Sequence, residues 1–159
     1  MFSQTVEYAL RAMMHLASLD GQPQTSERIA AETGVPSGYI CKVMRDLVRS
    51  SLVQSFRGPG GGFLLAARPD GITILDVVSA VDPIRRIHKC PLDNPEHADL
   101  CPLHRRLDEA LASIECCFRR TTLAEMVASG AAPVLPSATA TVRATRCGPR
   151  PAGGPRNAL

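Results

Sequence analysis

The chain has 159 residues, 45% of them hydrophobic, which suffices for one modest core or one domain with an appendage. No run approaches the roughly 18 consecutive apolar residues of a membrane span, and six cysteines behind a charged, leaderless N-terminus (Glu7, Arg11) suggest reduced thiols or metal ligands rather than a disulfide scaffold, hence a soluble cytoplasmic protein with no membrane partner. The net charge of +3 excludes little, because residues 130–159 hold Arg143, Arg146, Arg150 and Arg156 without an acid and the remainder carries 14 basic against 15 acidic residues.

From Ser3 to Leu19, Val6, Leu10, Met13, Met14 and Leu16 or Ala17 recur at helical spacing, predicting a first helix with one buried face, ended by DGQP. A short helix over ERIAAET follows, with Thr25 or Ser26 as N-cap and Gly34 at its C-terminal turn. VPSGYICKVMRDLVRSSLV predicts a third helix from about Ser37, with Ile40, Val43, Met44, Leu47 and Val48 inward. Two helices joined through TGVPS fit a helix-turn-helix, whose second helix enters a major groove, and fit equally any small three-helix bundle.

The next segment separates these alternatives. LVQSFRGPGGGFLLA predicts two short strands around a tip, and Gly58 to Gly62 can adopt backbone angles closed to other residues and approach another surface closely. That hairpin is read as the wing of a winged helix, with a plain surface hairpin as the alternative. A phosphate-binding nucleotide loop is disfavoured, since no Lys-Ser or Lys-Thr follows the glycines. Between Ser37 and Arg68, Lys42, Arg45, Arg49, Arg57 and Arg68 face only Asp46, a local excess of positive charge suited to phosphate.

ITILDVVSAV predicts a fourth helix capped by Thr73, with Ile74, Val77, Val78 and Val81 inward. After the loop KCPLDNPEHADLCPLH, a long helix from Pro102 to Arg119 repeats Leu103, Leu107, Ala110, Leu111, Ile114 and Phe118 along one stripe. That stripe exceeds what so small a domain needs for itself, so pairing with a second copy is expected. TLAEMVAS closes the ordered part, and the Ala, Pro, Gly, Thr and Arg-rich remainder, with Cys147, reads as a disordered tail. The expected fold is therefore mainly α with a small β-hairpin wing: a winged helix-turn-helix over 1–82, a sensor loop over 83–101, a dimerisation helix and short closing helix over 102–129, and the tail over 130–159.

YALRAMMHLA, IAAETGVPSGYICKVMRDLVRSSLVQSFRGPGGGFLLA and ITILDVVSAVD together resemble the Rrf-two family of bacterial winged helix-turn-helix transcriptional regulators, over about residues 1 to 129. The run from Tyr39 through RGPGGGFLL is the most specific part, joining recognition helix and wing in the family's order. The resemblance implies a homodimer acting as a repressor on near-palindromic double-stranded DNA. It places Ser37, Tyr39 and Lys42 at the DNA-facing start of the third helix, and Arg57, with Gly58 and Gly60, in the wing. Lys42 and Arg45 would neutralise phosphate, the Tyr39 hydroxyl would fix position, and Arg57 suits a narrow, electronegative minor groove. Arg45 and Arg49 fit a solvated helix face equally well. Cys41 stands where relatives can carry a base-contacting polar side chain, and a buried or tolerated thiol is expected there rather than a redox switch.

In the loop, thiolate and imidazole make Cys90, Cys101 and His104 metal candidates by type. Pro102 suits a first helical position, which makes Cys101 the N-cap and His104 the third residue, over one helix end. The helix dipole there favours the Cys101 thiolate. Cluster-binding relatives usually carry three cysteines in this loop. The resemblance matches Cys90, Cys101 and His104 but finds Asp93, Asn94, Glu96 and His97 around the place of the missing middle cysteine. Some relatives complete the site with an acid of the first helix, which the resemblance assigns to Glu7, supplied across the dimer. It thus implies an iron–sulfur cluster, 2Fe-2S or 4Fe-4S, on Cys90, Cys101, His104 and Glu7. The Cys-x10-Cys-x2-His spacing alone leaves zinc, another metal or no metal open, with His88 and His97 as substitute ligands and Glu7 as a solvated or salt-bridged residue. Cys116 and Cys117 diverge by about 100° on a helix and are expected to pack in the core or dimer face.

The expected function is transcriptional regulation sensing nitric oxide, redox state or iron–sulfur supply. A cluster-free regulator of the same family answering to a small metabolite, zinc or a protein partner is the alternative. A thiol or metal enzyme is not expected, since no catalytic constellation surrounds the cysteines.

Overall fold

A computed structural model describes residues 2–19, 21–58, 60–89 and 100–130. Most of the loop expected to be the sensor, including Cys90, and the residues 131–159 expected to be a tail, with Cys147, lie outside the described residues. The first helix, α1 (Gln4–Ala17), starts where the Ser3 hydroxyl accepts the Val6 amide and buries Val6, Ala9, Ala12, Met13 and Leu16. Two alanines on that face let α3 and α4 approach closely, so α1 runs through the middle of the core. α2 (Ser26–Thr33) is capped by Thr25, and Gly34 ends it in the left-handed conformation at φ 67°. α3 (Ser37–Arg49) buries Ile40, Val43, Met44 and Leu47, whereas Val48 is only partly covered. Each fully buried side chain of this size stabilises the fold by roughly 1.5–3 kcal/mol.

The hairpin forms as expected: β1 (Val53–Phe56) pairs antiparallel with β2 (Gly62–Leu65), Val53 opposite Leu65 and Phe56 opposite Gly62. A feature invisible in the sequence anchors it. Gln24 and Phe63 exchange both backbone hydrogen bonds, 3.0 and 2.8 Å, stitching β2 to the segment before α2. The wing is thereby fixed to the helix-turn-helix.

After a 3-10 turn at Pro69–Gly71, α4 (Ile74–Val81) begins with a capping box between Thr73 and Asp76. α5 (Pro102–Arg120) is followed by α6 (Leu123–Ala128), which begins with a second capping box, Thr122 with Glu125. The two caps face one another. The Ile74 amide donates to the Thr121 carbonyl and the Leu123 amide to that of Ile72, both at 2.9 Å, so the closing helix returns to the winged domain and Leu123 enters its core fully buried. α5 differs from every other helix in having no buried residue; Leu103 and Leu107 are 64% and 47% exposed.

Candidate functional site

The outer face of α3 follows from its inner one. With Ile40, Val43, Met44 and Leu47 in the core, Ser37, Tyr39, Cys41, Lys42, Arg45 and Arg49 are left exposed. Of the two readings of Cys41, buried or merely tolerated, the buried one falls: it is a free, exposed cysteine on the basic face. Arg49 is partly neutralised by Asp46 at 3.6 Å, whereas Lys42 and Arg45 form no ion pair among the described residues. The helix N-terminus has no capping side chain, Pro36 occupying that position.

The wing adds to this surface. Arg57, Gly58 and Gly60 are exposed at its tip, and Arg57 is likewise without an ion pair among the described residues. Gly58 and Gly60 take φ values of 98° and 80°, which other residues rarely adopt, so the tip's shape depends on them. Where β2 leaves the tip, a Cβ on Gly62 would lie 2.5 Å from the Gln24 carbonyl oxygen.

At the head of α5 the predicted geometry holds. Pro102 is the first helical residue, Cys101 is the N-cap, and its Sγ lies 3.1 Å from Nδ1 of His104. Cys101 makes no side-chain capping bond, and both groups are half-buried. A thiol and an imidazole on one helix end are a donor pair of the right chemistry for iron–sulfur iron or zinc. Cys90 lies outside the described residues. Glu7 is exposed on α1 and pairs with Arg11 one turn on. No three His, Cys, Asp or Glu converge as a metal site among the described residues, so Glu7 does not join Cys101 and His104 within one chain. Cys117 is an exposed free thiol, whereas Cys116 is disulfide-bonded. Packing alone was expected of that pair.

Two further groups escape sequence reasoning. Arg86, before the loop, binds Asp108 of α5 through Nε (2.7 Å) and Nη2 (2.6 Å) and reaches Glu115 through Nη1 (3.3 Å). The Ile87 amide also donates to Asp108, at 2.9 Å. The Arg86 bonds, then that amide, hold the Asp108 carboxyl down at about 2, and Asp108 in turn raises the Arg86 pKa. The only available signal was the seven-residue spacing of Asp108 and Glu115, two turns on one face. The second group is aromatic: Tyr8 of α1 meets Tyr39 of α3, and Phe2 meets Phe118 of α5.

Comparisons with known proteins add the following. The family profile described as "Rrf2: Iron-dependent Transcriptional regulator" matches residues 2–129. A protein of Aquifex aeolicus, assigned by name to the HTH-type transcriptional regulators, is 33% identical over 135 residues, which span 79% of this chain and 90% of that protein. A similarly named protein of Mycobacterium tuberculosis is 34% identical over 134 residues, 82% of this chain and 83% of its own. Among solved structures, CymR, the global cysteine regulator of B. subtilis, matches with a TM-score of 0.68 at 24% identity over 81% of this chain and 97% of its own. IscR of T. potens matches with a TM-score of 0.68 at 25% identity, over 82% and 88% respectively. No helix among the described residues is long and apolar enough to cross a membrane.

Proposed function

Because the chain belongs to the Rrf2 family of transcriptional regulators, and is a regulator rather than an enzyme, we propose that it is a dimeric repressor with an iron–sulfur centre answering to nitric oxide, redox state or iron–sulfur supply. It would work in the cytoplasm on near-palindromic double-stranded DNA. The observation that carries DNA binding is the outer face of α3, where Tyr39, Lys42 and Arg45 stand exposed and the two cations make no ion pair among the described residues. Lys42 and Arg45 suit phosphate, Ser37 and Tyr39 offer hydroxyls, and Arg57 on the Gly58 and Gly60 tip suits the minor groove. The exposed Leu103 and Leu107 on α5 give the dimer an apolar face, which would set two copies of α3 on one operator.

Cys101 and His104, with Cys90 and a Glu7 contributed across the dimer, would hold the cluster. When bound, such a cluster supplies redox and nitrosylation chemistry. The chain's own part is to fix the site's frame: Cys101 stands at the N-cap position of α5 with its thiol free of any capping bond, and Arg86 ties the segment entering the loop to the same helix. A change of ligation would therefore be felt along α5 and, through the α6 return, in the winged domain. A cluster-free regulator of the same family answering to a metabolite, zinc or a protein partner is the alternative reading.

Two measurements test these proposals. Affinity for genomic duplex fragments should fall steeply with salt, by about 0.9 in the logarithmic slope per phosphate neutralised, and Arg57→Ala should weaken it. Binding that is undetectable or indifferent to salt would remove the DNA-binding role. Anaerobically purified protein should be coloured and contain iron with acid-labile sulfide; a colourless protein, with zinc or no metal, leaves the cluster-free regulator.

A further inference from the structure

We infer that Tyr8 is a positioning residue for DNA recognition, holding the Tyr39 phenol in the orientation in which α3 presents it; this rests on the DNA-binding function proposed above. The chain has only two tyrosines, and they touch. Their ring centroids are 5.5 Å apart and their planes meet at 64°, the edge-to-face arrangement that aromatic quadrupoles favour.

The two rings are held very differently. Tyr8, between exposed Glu7 and buried Ala9 on α1, is partly buried and packs against the core, which holds its ring. Tyr39 sits at the third position of α3, 50% exposed; Ser37, Gly38, which has no side chain, Cys41 and Lys42 around it are exposed, whereas Ile40 and Val43 are buried in the core. Its own helix therefore gives it little lateral support. A helical residue has two accessible χ1 wells, because the third collides with the preceding turn. Contact with Tyr8 favours the well that leans on α1. A phenol already confined loses less rotamer freedom when DNA immobilises it. Neither ring is charged, so the effect acts on orientation and leaves the number of neutralised phosphates unchanged.

The test is a double-mutant cycle on DNA affinity. The probe is a duplex selected by the wild-type protein from random-sequence DNA, titrated at fixed salt with wild type, Tyr8→Ala, Tyr8→Phe, Tyr39→Ala and the double variant. Tyr8→Ala should weaken binding about two- to tenfold with no change in salt slope, the range expected for one aromatic pair. Tyr8→Phe, which keeps the ring, should bind like wild type. In the Tyr39→Ala background, Tyr8→Ala should cause no further loss. An equal loss in both backgrounds shows a general packing role and overturns the inference, as does no loss in Tyr8→Ala. If Tyr8→Ala does not fold, Tyr8→Leu takes its place under the same criteria. Should the wild type select no duplex, the DNA-binding function and this inference fall together. If it selects one that Tyr39→Ala binds equally well, the inference alone falls.

Discussion

Arg86 and Asp108 meet as a two-pronged ion pair, Nε to Oδ1 at 2.7 Å and Nη2 to Oδ2 at 2.6 Å, and this pair fixes where the chain leaves the winged domain for the loop. The fork matches a carboxylate in a way that lysine could not. Both side chains are mostly covered by protein, and the Ile87 amide fills a remaining acceptor site on Asp108. Because Asp108 titrates at about 2 when folded and at an ordinary value of 3.8 when unfolded, its contribution is complete above pH 3.8 and is lost as the pH falls toward 2. Asp108→Asn should lower the melting temperature at pH 7, with the gap to wild type closing over that acid range. In Arg86→Ala, the carboxyl titration followed by NMR should move up toward the ordinary range; a midpoint that stayed near 2 would show that Arg86 is not its cause.

Gly62 should be the least replaceable residue of the wing. Its φ of 153° is one side chains rarely adopt, and a Cβ there would lie 2.5 Å from the Gln24 carbonyl oxygen, inside the double hydrogen bond that docks β2. Gly62→Ala should cost about 1–3 kcal/mol in chemical denaturation and loosen the wing, through backbone strain together with the clash. Gly71→Ala is the control, since nothing stands within 4 Å of its added Cβ. Equal stability of the two variants would refute the docking argument.

What was legible in the sequence was local. Helix spans follow from apolar spacing, and Thr73 and Thr25 announce their helices because a cap needs only the next three residues. The same periodicity that buries Ile40 and Met44 turns Cys41 outward, so the helical wheel alone decides between the buried and the tolerated thiol. Placing Cys101 and His104 over one helix end needed only Pro102 as the first helical residue. By contrast, Gln24 with Phe63, Tyr8 with Tyr39 and Arg86 with Asp108 join residues far apart in the chain. Each depends on how helices cross and where strands dock, and no residue pattern announces that.

His15 makes the fold sensitive to mild acid. It lies on α1 with Nε2 buried and lacking a hydrogen-bond partner among the described residues, and burial pushes its pKa below the ordinary 6.5. Glu32 opposes that shift in part and Arg28 adds to it. The folded state thus resists a proton that the unfolded chain accepts, so stability should be full above pH 6.5 and decline as the pH falls below it. Urea midpoints at pH 7.5 and 5.5 should differ in wild type. In His15→Leu, which removes the titrating group, that part of the difference should vanish; an unchanged difference would assign it elsewhere.

The ligand candidates should separate by how much each contributes. Thiolate is the strong donor to a soft metal, imidazole is intermediate, and carboxylate is the weakest and most replaceable. In anaerobic preparations, Cys101→Ala should therefore abolish bound iron, as should Cys90→Ala, and His104→Ala should lower occupancy or shift the absorption spectrum. Glu7→Gln should leave a cluster that is bound but more labile. Glu7 pairs with Arg11, so if it is also the proposed ligand, Arg11→Ala should free the carboxylate and change cluster lability in the sense opposite to Glu7→Gln. Metal content, spectrum and decay in air, measured on the same preparations, read all three effects. If Glu7→Gln leaves every one of them untouched while Cys101→Ala removes the colour, the cluster stands and its fourth ligand lies elsewhere.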